Sequence, residues 1–236
     1  MQNIIIGEGK PKIGIVGCLH GNERIGAEVI ASLKTIKLNS GSLILVIANE
    51  EAMRQDKRFI DTDLNRCFPG KEECNHEEML AFQLTKALKD CDYVIDVHST
   101  TADTESFAII TKDNAKEIAQ NFLKKKLVDM GETIASGKSL IDNVKCGVSI
   151  EFNKETPFMD VKEAIMNFLK SIGMVEGEPV FTEMEVFSVY GKLEGEGVLD
   201  NFKEITLDNE TFYPVLSGTK EYKGVICLKA RRGVSI

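Results

Sequence analysis

His20 and Glu23 stand three residues apart at the end of the apolar run 13–19, and His98 ends a second run, 93–97. Two imidazoles and a carboxylate, each placed where a buried strand leaves its sheet, can make a three-ligand metal site. Catalytic zinc is held by three such ligands, with the fourth position left for water. The chain has only three histidines, so two in matched contexts carry weight. Taken alone, His-x-x-Glu also reads as a loop histidine followed by a glutamate that favours a helix N-terminus. His98 tips the balance toward a ligand, because open α/β sheets bind ligands outside the carboxyl ends of their strands. Asp96 reads as a partner holding an imidazole or as an electrostatic cap. His76, in Cys-Asn-His-Glu-Glu, reads as a surface residue at a helix start.

A second cluster is Lys57-Arg58-Phe-Ile-Asp61-Thr-Asp63-Leu-Asn65-Arg66. A guanidinium grips a carboxylate in a bidentate fork, and Asn65 can add a directed donor. The plainer reading is a surface loop in which Asp61 and Asp63 neutralise both arginines. Glu151 is the third candidate, a charge inside the apolar strand Val148-Ser-Ile-Glu-Phe152. A buried carboxyl has a raised pKa, which suits proton transfer near pH 7. The alternative is a strand-edge glutamate facing water, with Glu155 a less apolar competitor.

The elements that must position these residues alternate. Strands are expected at 13–19, 43–48, 93–97, 107–111 and 147–152, and helices at 24–36, 77–89, 115–125 and 161–172. Asn22 is a candidate cap for the first helix, and Gly21 lets the chain turn sharply and approach a ligand. Residues 49–75 are polar and irregular, and a loop that long in a compact domain is usually functional. This is the pattern of an α/β domain with a mixed, largely parallel sheet flanked by helices. After Gly173 short strands are expected at 179–190, 197–199, 204–205 and 225–230, with no helix. The expected division is 1–174 for the catalytic domain and 175–236 for a small all-β domain closing the active site.

The 236 residues suffice for a large core. At 43% hydrophobic and 28% charged the composition is that of a globular protein. The net charge of −8 argues against a generic nucleic-acid binder. Lys124-Lys125-Lys126 reads as a solvated helix face. No signal peptide is visible and no run is long enough to span a membrane, so the expected location is cytoplasmic. The six cysteines form no C-x-x-C pair and read mostly as free thiols, with a Cys67–Cys74 bridge left open.

Gly-Cys-Leu-His20-Gly-Asn-Glu23, Arg58-Phe-Ile-Asp-Thr-Asp-Leu-Asn65-Arg66, Asp-Val-His98-Ser-Thr-Thr and Ser-Ile-Glu151 occur in one order. Together they resemble the succinylglutamate desuccinylase/aspartoacylase family, which has the zinc carboxypeptidase-like fold. The resemblance implies one zinc per chain on His20, Glu23 and His98. It implies that Arg58 polarises the scissile carbonyl, that Asn65 and Arg66 grip a substrate carboxylate, and that Glu151 activates the attacking water and then protonates the leaving amine. Tyr222 resembles a C-terminal tyrosine that reaches into the aspartoacylase pocket. The chain departs from aspartoacylases in lacking an arginine before Glu151 for the substrate's side-chain carboxylate, where Lys138 or Lys145 is the candidate substitute. The implied activity is a zinc-dependent amidohydrolase on an N-acyl amino acid, a small carboxylate-bearing substrate. A carboxypeptidase and a non-catalytic metal-binding module are the competing readings. A homo-oligomer stays open.

Overall fold

A computed structural model describes residues 1–131, 136–220 and 223–236. Ile13, Ile15 and Val97 pack toward one face of a central sheet, and Val16, Val46 and Val94 toward the other. This two-sided burial gives the continuous apolar runs of β2 (Lys12–Gly17), β3 (Ser42–Ile47) and β4 (Tyr93–Thr100). These strands and β7 (Gly147–Asn153) pair in parallel. β1 (Gln2–Gly7) closes one edge antiparallel to β3. β5 (Phe107–Ile110) is antiparallel to β7 and parallel to β6 (Lys126–Asp129). The expected mixed, largely parallel α/β sheet is therefore present.

Helix α1 (Ile25–Leu33) and helix α5 (Phe158–Ser171) join the core on one face. Helix α3 (His76–Leu88) covers the other with Leu80, Leu84 and Leu88. Two shorter helices, α2 (Glu50–Arg54) and α4 (Lys116–Ala119), lie between the larger elements. No helix among the described residues is long and apolar enough to cross a membrane.

Several sequence expectations need correction. The helix at 115–125 breaks into short turns and stops at Leu123, whose φ of 57° is left-handed. Lys126 then enters β6, is 12% exposed and pairs with Glu105 and Glu185, while Lys124 lies over the Phe152 ring. The lysine run is thus not a solvated helix face. In the C-terminal part, β8 (Glu185–Glu194) starts later than expected, and no strand forms at 197–199. β9 (Ile205–Leu207), β10 (Glu210–Val215) and β11 (Val225–Arg232) follow. β8 pairs in parallel with β6, so these strands continue the same sheet. Phe107 from the first part packs with Phe187, Phe202 and Leu228 from the second.

The exit of β2 is set by two glycines. A Cβ on Gly17 would lie 2.6 Å from the backbone of Gly26, so α1 can sit directly on the strand end. Neither partner has a side chain that could move aside. Gly17→Ala is therefore expected to destabilise the protein by about 1–3 kcal/mol, read as a lowered midpoint in thermal or denaturant unfolding.

Candidate functional site

β2 and β4 run in parallel, so their carboxyl ends deliver His20 and His98 to the same edge of the sheet. Their rings lie 5.0 Å apart, and both are 3% exposed. Glu23, at the turn into α1, joins them: Nδ1 of His20 is 2.8 Å from Oε1, and Nδ1 of His98 is 2.9 Å from Oε2. The three side chains form a cluster able to hold a metal ion, with ligand atoms within 4.8 Å of one another.

The outer nitrogens are held as well. Nε2 of His20 lies 3.0 Å from Asp63 Oδ1, and Nε2 of His98 lies 2.6 Å from Asp96 Oδ2. Carboxylates behind both imidazoles fix the rings with Nδ1 facing Glu23, an arrangement common around metal-bound histidines. Asp96 accordingly takes the partner role. Asp63 was not singled out from the sequence for this, because nothing local links it to His20.

Burial opposes charge on both histidines. Glu23 and Asp63 outweigh it at His20, and Asp96 and Glu23 outweigh it at His98, so both are raised above the usual imidazole range. Burial also opposes ionisation of Glu23 and Asp63, yet the imidazoles hold the Glu23 carboxyl well below its ordinary range. His20, Arg58 and Arg66 do the same for Asp63. Three carboxylates thus face two imidazoles and the Arg58 guanidinium in a largely buried space. Buried charge is tolerated only when paired, and two imidazoles with a carboxylate are a donor set suited to zinc, whose binding would displace the ring protons. The residues present therefore fit a divalent cation.

Arg58 extends the network. Its Nη1 donates to Glu23 Oε1 at 3.1 Å, while Nε and Nη2 donate to Asp63 Oδ2. The internal Arg–Asp pairing weighed from the sequence is real for Asp63, but it also binds the loop to the cluster. Asp61 instead accepts from the His76 backbone N–H. Asn65 accepts from Leu140 N–H with Oδ1 and lines the cavity, with Nδ2 as its remaining side-chain donor group. Arg66 lines the same cavity and donates to the Asn65 carbonyl.

Glu151 lies beside His98 in register on β7. Ser149 and Glu151 share the face of β7 opposite Val148, Ile150 and Phe152, and this face turns toward the cavity. Burial pushes the Glu151 carboxyl up to about 7 against the pull of His98. Glu155 is exposed and lies outside the cavity lining. Tyr222 lies outside the described residues.

Other expectations change. Asn22 does not cap α1, which has no side-chain cap. Gly21 is required by contact, since a Cβ there would lie 2.2 Å from the Ala52 backbone. His76 is partly exposed, and its Nε2, 3.0 Å from Asn49 Oδ1, ties the start of α3 to the start of α2. Lys145 pairs with Asp92, and Lys138 is exposed; neither lines the cavity. Cys67 and Cys74 are free thiols.

Glu77 was missed. It is fully buried and accepts from the backbone N–H groups of Ile60, Asp61 and Thr62, and from Asn49 Nδ2. It clamps the loop that carries Arg58, Asp63, Asn65 and Arg66. Its position at a helix start offered an ordinary explanation, and only the folded chain brings the loop to it.

Residues 9–159 match the Succinylglutamate desuccinylase/Aspartoacylase catalytic domain. An α/β sheet with a His/Glu/His cluster at the carboxyl ends of its strands defines the class, and the chain belongs to this family. It is 32% identical over 121 residues to a "Probable aspartoacylase" of Acaryochloris marina, covering 44% of this chain and 39% of that protein. A 106-residue match to a Nostoc "Probable aspartoacylase" is 34% identical, covering 39% and 36%. These matches thus span well under half the length of the curated relatives. Murine aminoacylase 3 superposes with a TM-score of 0.79 at 20% identity, covering 98% of both chains. The succinylglutamate desuccinylase/aspartoacylase of Rhodobacter sphaeroides does so with a TM-score of 0.74 at 18% identity, covering 98% and 89%. These likenesses establish the fold.

Two predictions follow from the geometry. Glu77→Ala leaves buried donors unpaired, so it is expected to cost about 2–4 kcal/mol and to loosen the loop, read by unfolding midpoint and by amide exchange at 60–62. For the metal-free protein, Glu151 binds its proton more tightly folded than unfolded. Its contribution is present below the ordinary carboxyl value of 4.5 and is lost as pH rises through about 7. The melting temperature of Glu151→Gln relative to the parent protein is expected to rise across that window.

Proposed function

We propose that the protein is a zinc-dependent amidohydrolase that cleaves the amide of an N-acyl amino acid. The observation that carries this reading is Glu151. A structural metal site needs no proton-transfer group, yet a carboxyl with a pKa of about 7 stands beside the His/Glu/His cluster. Family membership supports the same reading.

In this reading His20, Glu23 and His98 would hold zinc, both Nδ1 atoms being turned toward the Glu23 carboxylate. When bound, the ion supplies Lewis acidity and lowers the pKa of water. Glu151 takes the proton of the attacking water and delivers it to the leaving amine, a role its pKa allows in both directions near neutrality. Arg58, its guanidinium plane fixed by Asp63, polarises the scissile carbonyl and stabilises the developing oxyanion. Asn65 Nδ2 and Arg66 hold the substrate carboxylate. Residues 175–236 close the site, a role supported by Leu216 and Thr219 in the cavity wall.

The test is free-amine release by zinc-loaded protein from N-acetyl, N-formyl and N-succinyl amino acids, with dipeptides and a chelated sample beside each. Chelator-sensitive turnover of acyl amino acids is expected. Glu151→Gln is expected to bind zinc but to lose roughly 10²–10⁴ in kcat. Turnover of dipeptides alone would move the protein to the carboxypeptidases. An unchanged rate in Glu151→Gln would remove the mechanism.

A further inference from the structure

A second lobe adjoins the His/Glu/His cavity and shares Asn65, Arg66, His98, Glu151 and Leu216 with it. Its own wall is Ile109, Met130 and Ile141, buried like the shared Leu216, together with Thr111, Gly131, Ser139 and Ser149. Among the described residues the polar side chains of this wall are neutral. Ser139 Oγ is spent on Asp142, and Thr111 Oγ1 is a buried hydroxyl with no partner among the described residues. Arg66 is the only guanidinium or ammonium among the described residues lining the lobe, and it also lines the metal mouth. Lys112 is engaged by the Val144 carbonyl and Lys145 by Asp92.

From this lining we infer that the enzyme is specific for N-acyl amino acids with an uncharged, apolar side chain, and that the second lobe receives that side chain. The inference rests on the deacylase reading above. If Asn65 and Arg66 hold the α-carboxylate and Glu151 protonates the amine, the side chain of the same amino acid must leave between them, into this lobe. An aliphatic side chain there replaces water against Ile109, Met130, Ile141 and Leu216. A side-chain carboxylate would lose its hydration with Arg66 already committed, and would sit near Glu151. A neutral threonine hydroxyl cannot compensate an unpaired buried charge. Neither Lys138 nor Lys145 brings an ammonium to this cavity.

The experiment compares kcat/KM of the zinc-loaded protein for N-acetyl-leucine and N-acetyl-methionine with that for N-acetyl-aspartate and N-acetyl-glutamate. The neutral pair is expected to be preferred by roughly 100-fold or more, as for a site that leaves a charge unpaired. Met130→Lys, which puts an ammonium into the wall, is expected to shift the ratio toward the acidic pair by at least about 10-fold. The parent ratio stands alone as the test if that variant does not fold. Equal or better turnover of the acidic pair overturns the side-chain assignment and leaves the deacylase intact. Silence on all four, on N-formyl and N-succinyl analogues and on their chelated controls overturns the deacylase reading and this inference with it.

Discussion

The site is organised around one buried carboxylate. Glu23 is 4% exposed, yet each of its oxygens meets two polar partners: His20 Nδ1 and Arg58 Nη1 on one, His98 Nδ1 and Ser99 N–H on the other. An ionised carboxylate in that position is costly unless its surroundings compensate it. The compensation comes from three separate parts of the chain. The turn after β2, the end of β4 and the loop after α2 must all arrive together, so the cluster and the fold constrain each other.

Precision on a long loop needs support from rigid elements. Residues 49–75 contain little regular structure beyond α2 and the short helical turn at 64–66, but they are tied at their start and in the middle. Asn49 caps α2, Glu77 of α3 clamps residues 60–62, and the Leu140 N–H holds Asn65. The loop is therefore held by hydrogen bonds as well as by the buried side chains of Ala52, Leu64 and Phe68. Each hydrogen bond depends on a polar partner that would be orphaned if the loop moved.

The other half of the site is a sheet face. Asp96 and His98 on β4 lie beside Ser149 and Glu151 on β7, and Ile109 on β5 lies opposite Ser149. Moving across this face, the lining passes from charged to apolar. The same row of side chains thus sets a reactive end and a greasy end a few residues apart. The strands beyond β6 complete the wall through Leu216.

Much of this was legible in the sequence. Continuous apolar runs ending in His20 and His98 mark strands buried on both faces, and the ordered motifs identify the family, because burial and local spacing are written in consecutive residues. The sequence also named Glu151, since a charge in an apolar strand needs a partner or a purpose. What it could not decide is which distant groups become that partner. Asp63 behind His20, Glu77 beneath the loop and Thr111 in the second lobe are ordinary polar residues until the chain folds. Their roles come from contacts between segments far apart in sequence, and pairing energies depend on distance in space. The strand β6 was hidden for a related reason: the lysine run looks solvated until Glu105, Glu185 and the Phe152 ring surround it. Local chemistry selected the candidates, and tertiary structure decided which of them meet.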